Sequence, residues 1–132
     1  MWKLDEVPKV YLMGLCAWRE ARGCSVEAIR GVLHVIQNRA ARSAWWGADV
    51  VDVILKPSQF SSFNADNPEV GKFPGNDDRV FAQILGLVER VLTGEDEDLT
   101  GGGTHYHDAS VTPDWAQSMR VTAKIGSFTF YK

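Results

Sequence analysis

The chain has 132 residues, 45% of them hydrophobic and 23% charged, which is the size and composition of one globular domain and not of a disordered or fibrous chain. Its 14 Lys and Arg against 17 Asp and Glu leave a net charge of −3, and that balance speaks against a nucleic-acid partner, whose phosphates call for a basic surface. No stretch reaches the roughly 20 apolar residues of a membrane span, so stable membrane insertion is not expected.

Residues 8–22 read as the first helix, with Pro8 tolerated in its first turn. Val10, Tyr11, Leu12, Met13, Leu15, Cys16 and Trp18 surround nearly the whole circumference, which suits a buried helix. Gly23 is expected to end it in a left-handed C′ position. The apolar run at residues 10–17 is short and follows Asp5, Glu6 and Pro8, so no export signal is read. Cys16 and Cys24 are expected as reduced thiols, because a continuous helix would hold them about 12 Å apart.

Ser25 is a natural N-cap for a second helix running to about residue 42. Val26, Ile29, Leu33, Ile36 and Ala40 form a single face at alternating spacings of three and four. Residues 43–47 form a loop holding Trp45 and Trp46. Asp49 then caps a short helix at residues 50–55, which stops before Pro57. Residues 57–76 make a long loop of Pro, Gly, Ser and Asn anchored by Phe60, Phe63 and Phe73, a kind of segment that is usually functional.

Asp77 or Asp78 starts another long helix, with an apolar face from Val80 to Leu92 and a stop at Gly94. The acidic run at residues 95–98 reads as a solvated turn. Gly101, Gly102 and Gly103 allow an unusual backbone path into Thr104-His105-Tyr106-His107. A hairpin closes the chain: residues 121–125 alternate, Gly126-Ser127 supplies a type II′ turn, and residues 128–131 return. The fold class is therefore α+β, mostly α, a single domain over residues 1–132 with a small C-terminal β-hairpin.

Glu20 is the most informative side chain. It sits four residues after Cys16, on the same face of an otherwise apolar helix. Partial burial there favours the protonated form, which suits a general acid for a glycosidic oxygen. A salt bridge to Arg19, Arg22 or Arg39 is the structural alternative. Glycosidases usually pair two carboxylates, and no second one stands out. A single carboxyl suffices where the substrate supplies its own nucleophile, as the C6 hydroxyl of muramic acid can. His105 and His107, with Asp108 or His34, form a weak candidate metal set, and a third ligand is not fixed by spacing. Gln59, Ser61, Ser62, Asn64 and Asn67 among phenylalanines suit either turn chemistry or sugar hydroxyls.

Several segments, in order along the chain, resemble the SleB-type cell wall hydrolases. Trp18-Arg19-Glu20-Ala21-Arg22-Gly23 is similar to the family's Glu-Ala-Arg-Gly segment, and Val35-Ile36-Gln37-Asn38-Arg39 to its Val-Xaa-Asn-Arg ending. Pro57-Ser58-Gln59-Phe60-Ser61 resembles its Gln-Phe-Ser loop. Thr104-His105-Tyr106-His107, Pro113-Asp114-Trp115-Ala116 and the closing Ile125-Gly126 and Phe128-Thr129-Phe130-Tyr131 are similar to its later motifs. The resemblance implies a lysozyme-like fold and a cofactor-free, metal-free lytic transglycosylase or muramidase acting as a monomer on peptidoglycan glycan strands. It implies Glu20 as the catalytic acid and Gln59, Phe60, Ser61, Thr104 and Tyr106 as substrate-binding residues. Without an export signal, a phage endolysin made in the host cytoplasm is the expected source. Cys24 departs from the family pattern, Trp45-Trp46 has no counterpart in it, and no separate wall-binding domain is read. Two rivals remain: a zinc-dependent peptidoglycan amidase or peptidase built on His105 and His107, and a non-catalytic wall-binding module using Trp45, Trp46 and Trp115.

Overall fold

A computed structural model describes residues 6–42 and 45–132; Ser43 and Ala44, part of the expected loop, lie outside the described residues. Among the described residues four α-helices form, α1 (Val7–Ala21), α2 (Val26–Arg42), α3 (Val50–Leu55) and α4 (Arg79–Leu92), followed by strands β1 (His105–Asp108), β2 (Val121–Ile125) and β3 (Phe128–Tyr131). None of the described helices is long and apolar enough to cross a membrane.

Helix α1 is the central element and packs against α2, α3 and α4. Met13, Cys16 and Ala17 are fully buried, as its nearly all-round apolar surface requires. Ser25 caps α2 by accepting from Ala28 N at 3.2 Å, and Asp49 caps α3 by accepting from Asp52 N at 3.1 Å. One carboxylate does two jobs at the start of α4. Asp78 Oδ1 caps Phe81 N at 2.8 Å while Oδ2 accepts from Trp18 Nε1 at 3.0 Å, tying α4 to α1.

Gly23 is not in the left-handed region, so the expected C′ glycine is absent. The end of α1 is closed instead by Cys24 N donating to Ala21 O at 2.9 Å. Both cysteines are free; Cys16 is buried and Cys24 half-buried.

The hairpin forms as read, with Gly126 at φ 58° in its turn, but it belongs to a three-stranded antiparallel sheet ordered β1-β3-β2. The last strand is therefore the central one, and Tyr106 lies opposite Phe130. The sheet meets the helices through Phe130, which is fully buried. Gly31 on α2 makes that approach feasible, since a Cβ there would lie 2.5 Å from Phe130 Cζ.

The acidic run at residues 95–98 is only in part the solvated turn its composition suggests: Glu95 and Glu97 are exposed, Asp96 and Asp98 are not. Asp96 has a side chain only 5% exposed, accepts from Arg30 Nε at 2.9 Å and sits 2.7 Å from His34 Nε2. Asp98 accepts from Thr100 N, Thr100 Oγ1, Asn38 Nδ2 and Gly102 N, at 2.6–3.2 Å. Arg30, His34 and Asn38 recur every fourth residue of α2, so one polar stripe holds the whole turn. Gly101 and Gly102, at φ 67° and 82°, then direct the chain into β1.

Candidate active site

The C-terminal end of α1, the loop after α3 and strand β1 enclose a cleft of about 710 Å³. Glu20, Arg39, Gln59, Ser61, Tyr106 and Trp115 are among its lining residues. Glu20 is half-buried there. The Tyr106 hydroxyl donates to Glu20 Oε1 at 2.6 Å. Burial first, and then the adjacent Glu20 carboxyl, push the Tyr106 phenol well above its ordinary value, so it stays a donor. With Oε1 occupied as an acceptor, a proton on this carboxyl belongs on Oε2.

The alternative of an arginine salt bridge to Glu20 is not realised. Arg22 pairs with Glu69 at 2.9 Å. Arg19 donates to the carbonyls of Val70 at 2.8 Å, Lys72 at 3.1 Å and Ser62 at 3.4 Å. Its guanidinium also lies between the rings of Phe63 and Phe73, at 4.7 and 4.9 Å. The residue next to Glu20 thereby anchors the 57–76 loop. Arg39 is buried, with Nε donating to Thr104 O at 2.7 Å and its guanidinium 5.0 Å from the Phe60 ring centre. Among the described residues no ion pair includes Glu20.

Of the expected substrate contacts, Gln59, Ser61 and Tyr106 do line the cleft. Phe60 and Thr104 do not, a correction with a clear cause: they are 2% and 1% exposed and form the layer behind the wall. Phe60 packs on Arg39, and Thr104 supplies the carbonyl that holds it. Ser58, at the cleft edge, takes φ 65°, a conformation that a serine adopts only where its surroundings impose it.

His105 and His107 both line the cleft, with the Trp115 ring 5.1 and 6.0 Å from theirs. His107 is engaged at both nitrogens. Nδ1 lies 2.9 Å from Asp108 O and donates to it, and Nε2 lies 2.8 Å from the Tyr131 hydroxyl. A metal at His107 would have to displace one of these bonds. Burial, then the charges of Arg39 and Arg42, hold the His105 imidazole below its ordinary value and favour its neutral form.

Asp108 is a second carboxylate in the cleft, unrecognised as such in the sequence. Its Oδ1 accepts from Ser110 N at 2.9 Å and its Oδ2 from Ser127 Oγ at 2.7 Å. The backbone bond from Ser110 is the main cause that holds it below the ordinary aspartate value. Both oxygens are committed to the turn after β1 and to the hairpin. The signal available in sequence was the Asp-Xaa-Ser spacing of an Asx turn.

The fold recurs in two solved structures. The catalytic domain of the Bacillus cereus SleB protein is similar at a TM-score of 0.73 and 27% identity, over 93% of this chain and 88% of that one. The catalytic domain of the germination-specific lytic transglycosylase SleB from Bacillus anthracis is similar at a TM-score of 0.74 and 24% identity, over 99% and 97% of the two chains. No curated protein matches significantly in sequence. The sequence profile of the cell wall hydrolases matches residues 23–131, beginning just after Glu20. The chain belongs to the cell wall hydrolase family.

Proposed function

We propose that this protein is a lytic enzyme that cuts bacterial peptidoglycan between N-acetylmuramic acid and N-acetylglucosamine, with Glu20 as its acid and base. Membership of the cell wall hydrolases and likeness to the Bacillus cereus SleB catalytic domain support the substrate. The observation that carries the mechanism is a cleft carboxyl outside any ion pair among the described residues, oriented by the half-buried Tyr106.

Glu20 Oε2 donates its proton to the glycosidic oxygen as the bond from that oxygen to the muramoyl C1 breaks. Positive charge develops at C1 and the ring oxygen. The Glu20 carboxylate, held by the Tyr106 hydroxyl, then takes the proton of the muramoyl C6 hydroxyl as that oxygen bonds to C1. The product carries a 1,6-anhydro end, and Glu20 is protonated again. Asp108 supports this route over attack by a protein nucleophile, because its oxygens are engaged at 2.9 and 2.7 Å in its own turn.

Mass spectrometry of fragments released from purified sacculi tests the reading. Anhydro ends, lighter by one water than reducing ends, are expected. Reducing ends alone would assign hydrolysis instead, and release of free stem peptides would overturn glycan cleavage altogether.

A further inference from the structure

The Trp45-Trp46 pair, which the family resemblance leaves unexplained, connects to the cleft. Trp115 and His105 line it, with ring centres 5.1 Å apart. His105 in turn lies 5.8 Å from Trp46, and Trp46 lies 5.7 Å from Trp45. Four rings thus run without a gap from the cleft that holds Glu20 to the outer surface. Trp45 is 61% exposed, with the Lys56 ammonium 4.4 Å from its ring centre.

Two features of the strip point to a carbohydrate. Flat aromatic faces suit the C–H faces of pyranose rings, and the exposed Trp45 indole offers such a face. The strip is also continuous with the catalytic cleft, so a polymer lying in one reaches the other. We propose that Trp45, Trp46 and His105 form a remote glycan subsite, which binds sugars of the same strand several units from the bond being cut. Lys56 restrains the Trp45 ring and offers a donor to the acetyl or carboxyl groups of those sugars. This subsite rests on the reading of the Glu20 cleft as a glycan site.

The consequence is dependence on strand length. Binding is measured in Glu20→Gln protein, so that substrate stays uncut, with and without Trp45→Ala. The probes are peptide-free peptidoglycan strands of many disaccharide units and a short fragment of two such units. The Trp45→Ala change is expected to weaken strand binding about tenfold and leave the short fragment unaffected, with Trp45→Tyr restoring most of the loss. An equal loss on both probes, no loss on either, or a change of oligomeric state on removing Trp45 overturns the subsite. If Glu20→Gln protein with Trp45 intact binds no strand at all, the glycan reading itself fails; binding indifferent to Trp45 sinks only the strip.

Discussion

The Tyr106 hydroxyl and the Glu20 carboxyl are 86 residues apart in sequence and 2.6 Å apart in the cleft. The bond joins the end of α1 to the first strand of the sheet. It fixes which oxygen of Glu20 faces away from the protein's own donor. Arg39, which also lines the cleft, ties α2 to the start of β1 through Thr104 O. The site therefore depends on connections that no local segment makes by itself.

Glu20→Gln keeps the shape of the side chain and removes its proton chemistry. Lysis of sacculi is expected to fall by about 10²- to 10⁴-fold, with an unchanged thermal midpoint. A folded variant that lyses walls at the wild-type rate would remove Glu20 from the mechanism.

Tyr106→Phe keeps the ring against Phe128 and Phe130 and deletes the hydroxyl that meets Glu20. The loss should fall on kcat rather than KM, by roughly 10- to 100-fold if the bond is worth about 1.5–3 kcal/mol. Steady-state kinetics on soluble glycan strands separates the two. A pure KM effect would make Tyr106 a substrate contact only.

Arg19→Lys retains the charge and loses the fork that reaches three carbonyls of the 57–76 loop. A destabilisation of about 2–4 kcal/mol is expected in urea unfolding. Amide exchange at residues 62–73 should accelerate more than in α2. Uniform exchange would show that the loop is held by other means.

Asp96 and Asp98 give the fold an acid limit. Burial alone would raise both, but His34 and Arg30 bonds at Asp96, and Thr100 and Asn38 bonds at Asp98, outweigh it and leave both below the ordinary value of 3.8. A depressed value in the folded state stabilises the protein above the unfolded value, and that contribution is lost as pH falls through the folded one. The thermal midpoint should therefore drop as pH falls below the ordinary value of 3.8 and on through the depressed folded values. Asp98→Asn should be less stable at neutral pH and show a shallower acid slope. An identical slope would assign the acid limit elsewhere.

Gly31→Ala places a methyl 2.5 Å from Phe130 Cζ, at the junction of α2 and the sheet. Its gain in helix propensity is about 1 kcal/mol, and overpacking costs about 1–3 kcal/mol, so net destabilisation is expected in chemical denaturation. Phe130→Leu should relieve it in the double variant. Additive losses would place the strain away from Phe130.

The parts of this structure visible in sequence are those set by near neighbours. Helix α2 follows from the spacing of Val26, Ile29, Leu33 and Ile36, and its start from Ser25. Asp49 and Asp78 announce α3 and α4 because a cap acts within three residues. Glu20 was legible as a carboxyl on a buried helix, and Gln59, Ser61 and Tyr106 as cleft residues. What escaped depends on partners far along the chain. Asp96 looks solvated until Arg30 and His34 of α2 face it. Phe60 and Thr104 look like groove residues until Arg39 draws both behind the wall. Residues 105–108 carry a strand's geometry only because residues 128–131 arrive to pair with them.

That last pairing governs when the enzyme comes into being. Because β3 is the middle strand, both its neighbours must wait for it, and with them the tyrosine that orients Glu20. A chain that stops short of residue 128 lacks the strand that β1 pairs with, so Tyr106 is set beside Glu20 only once residues 128–131 are in place.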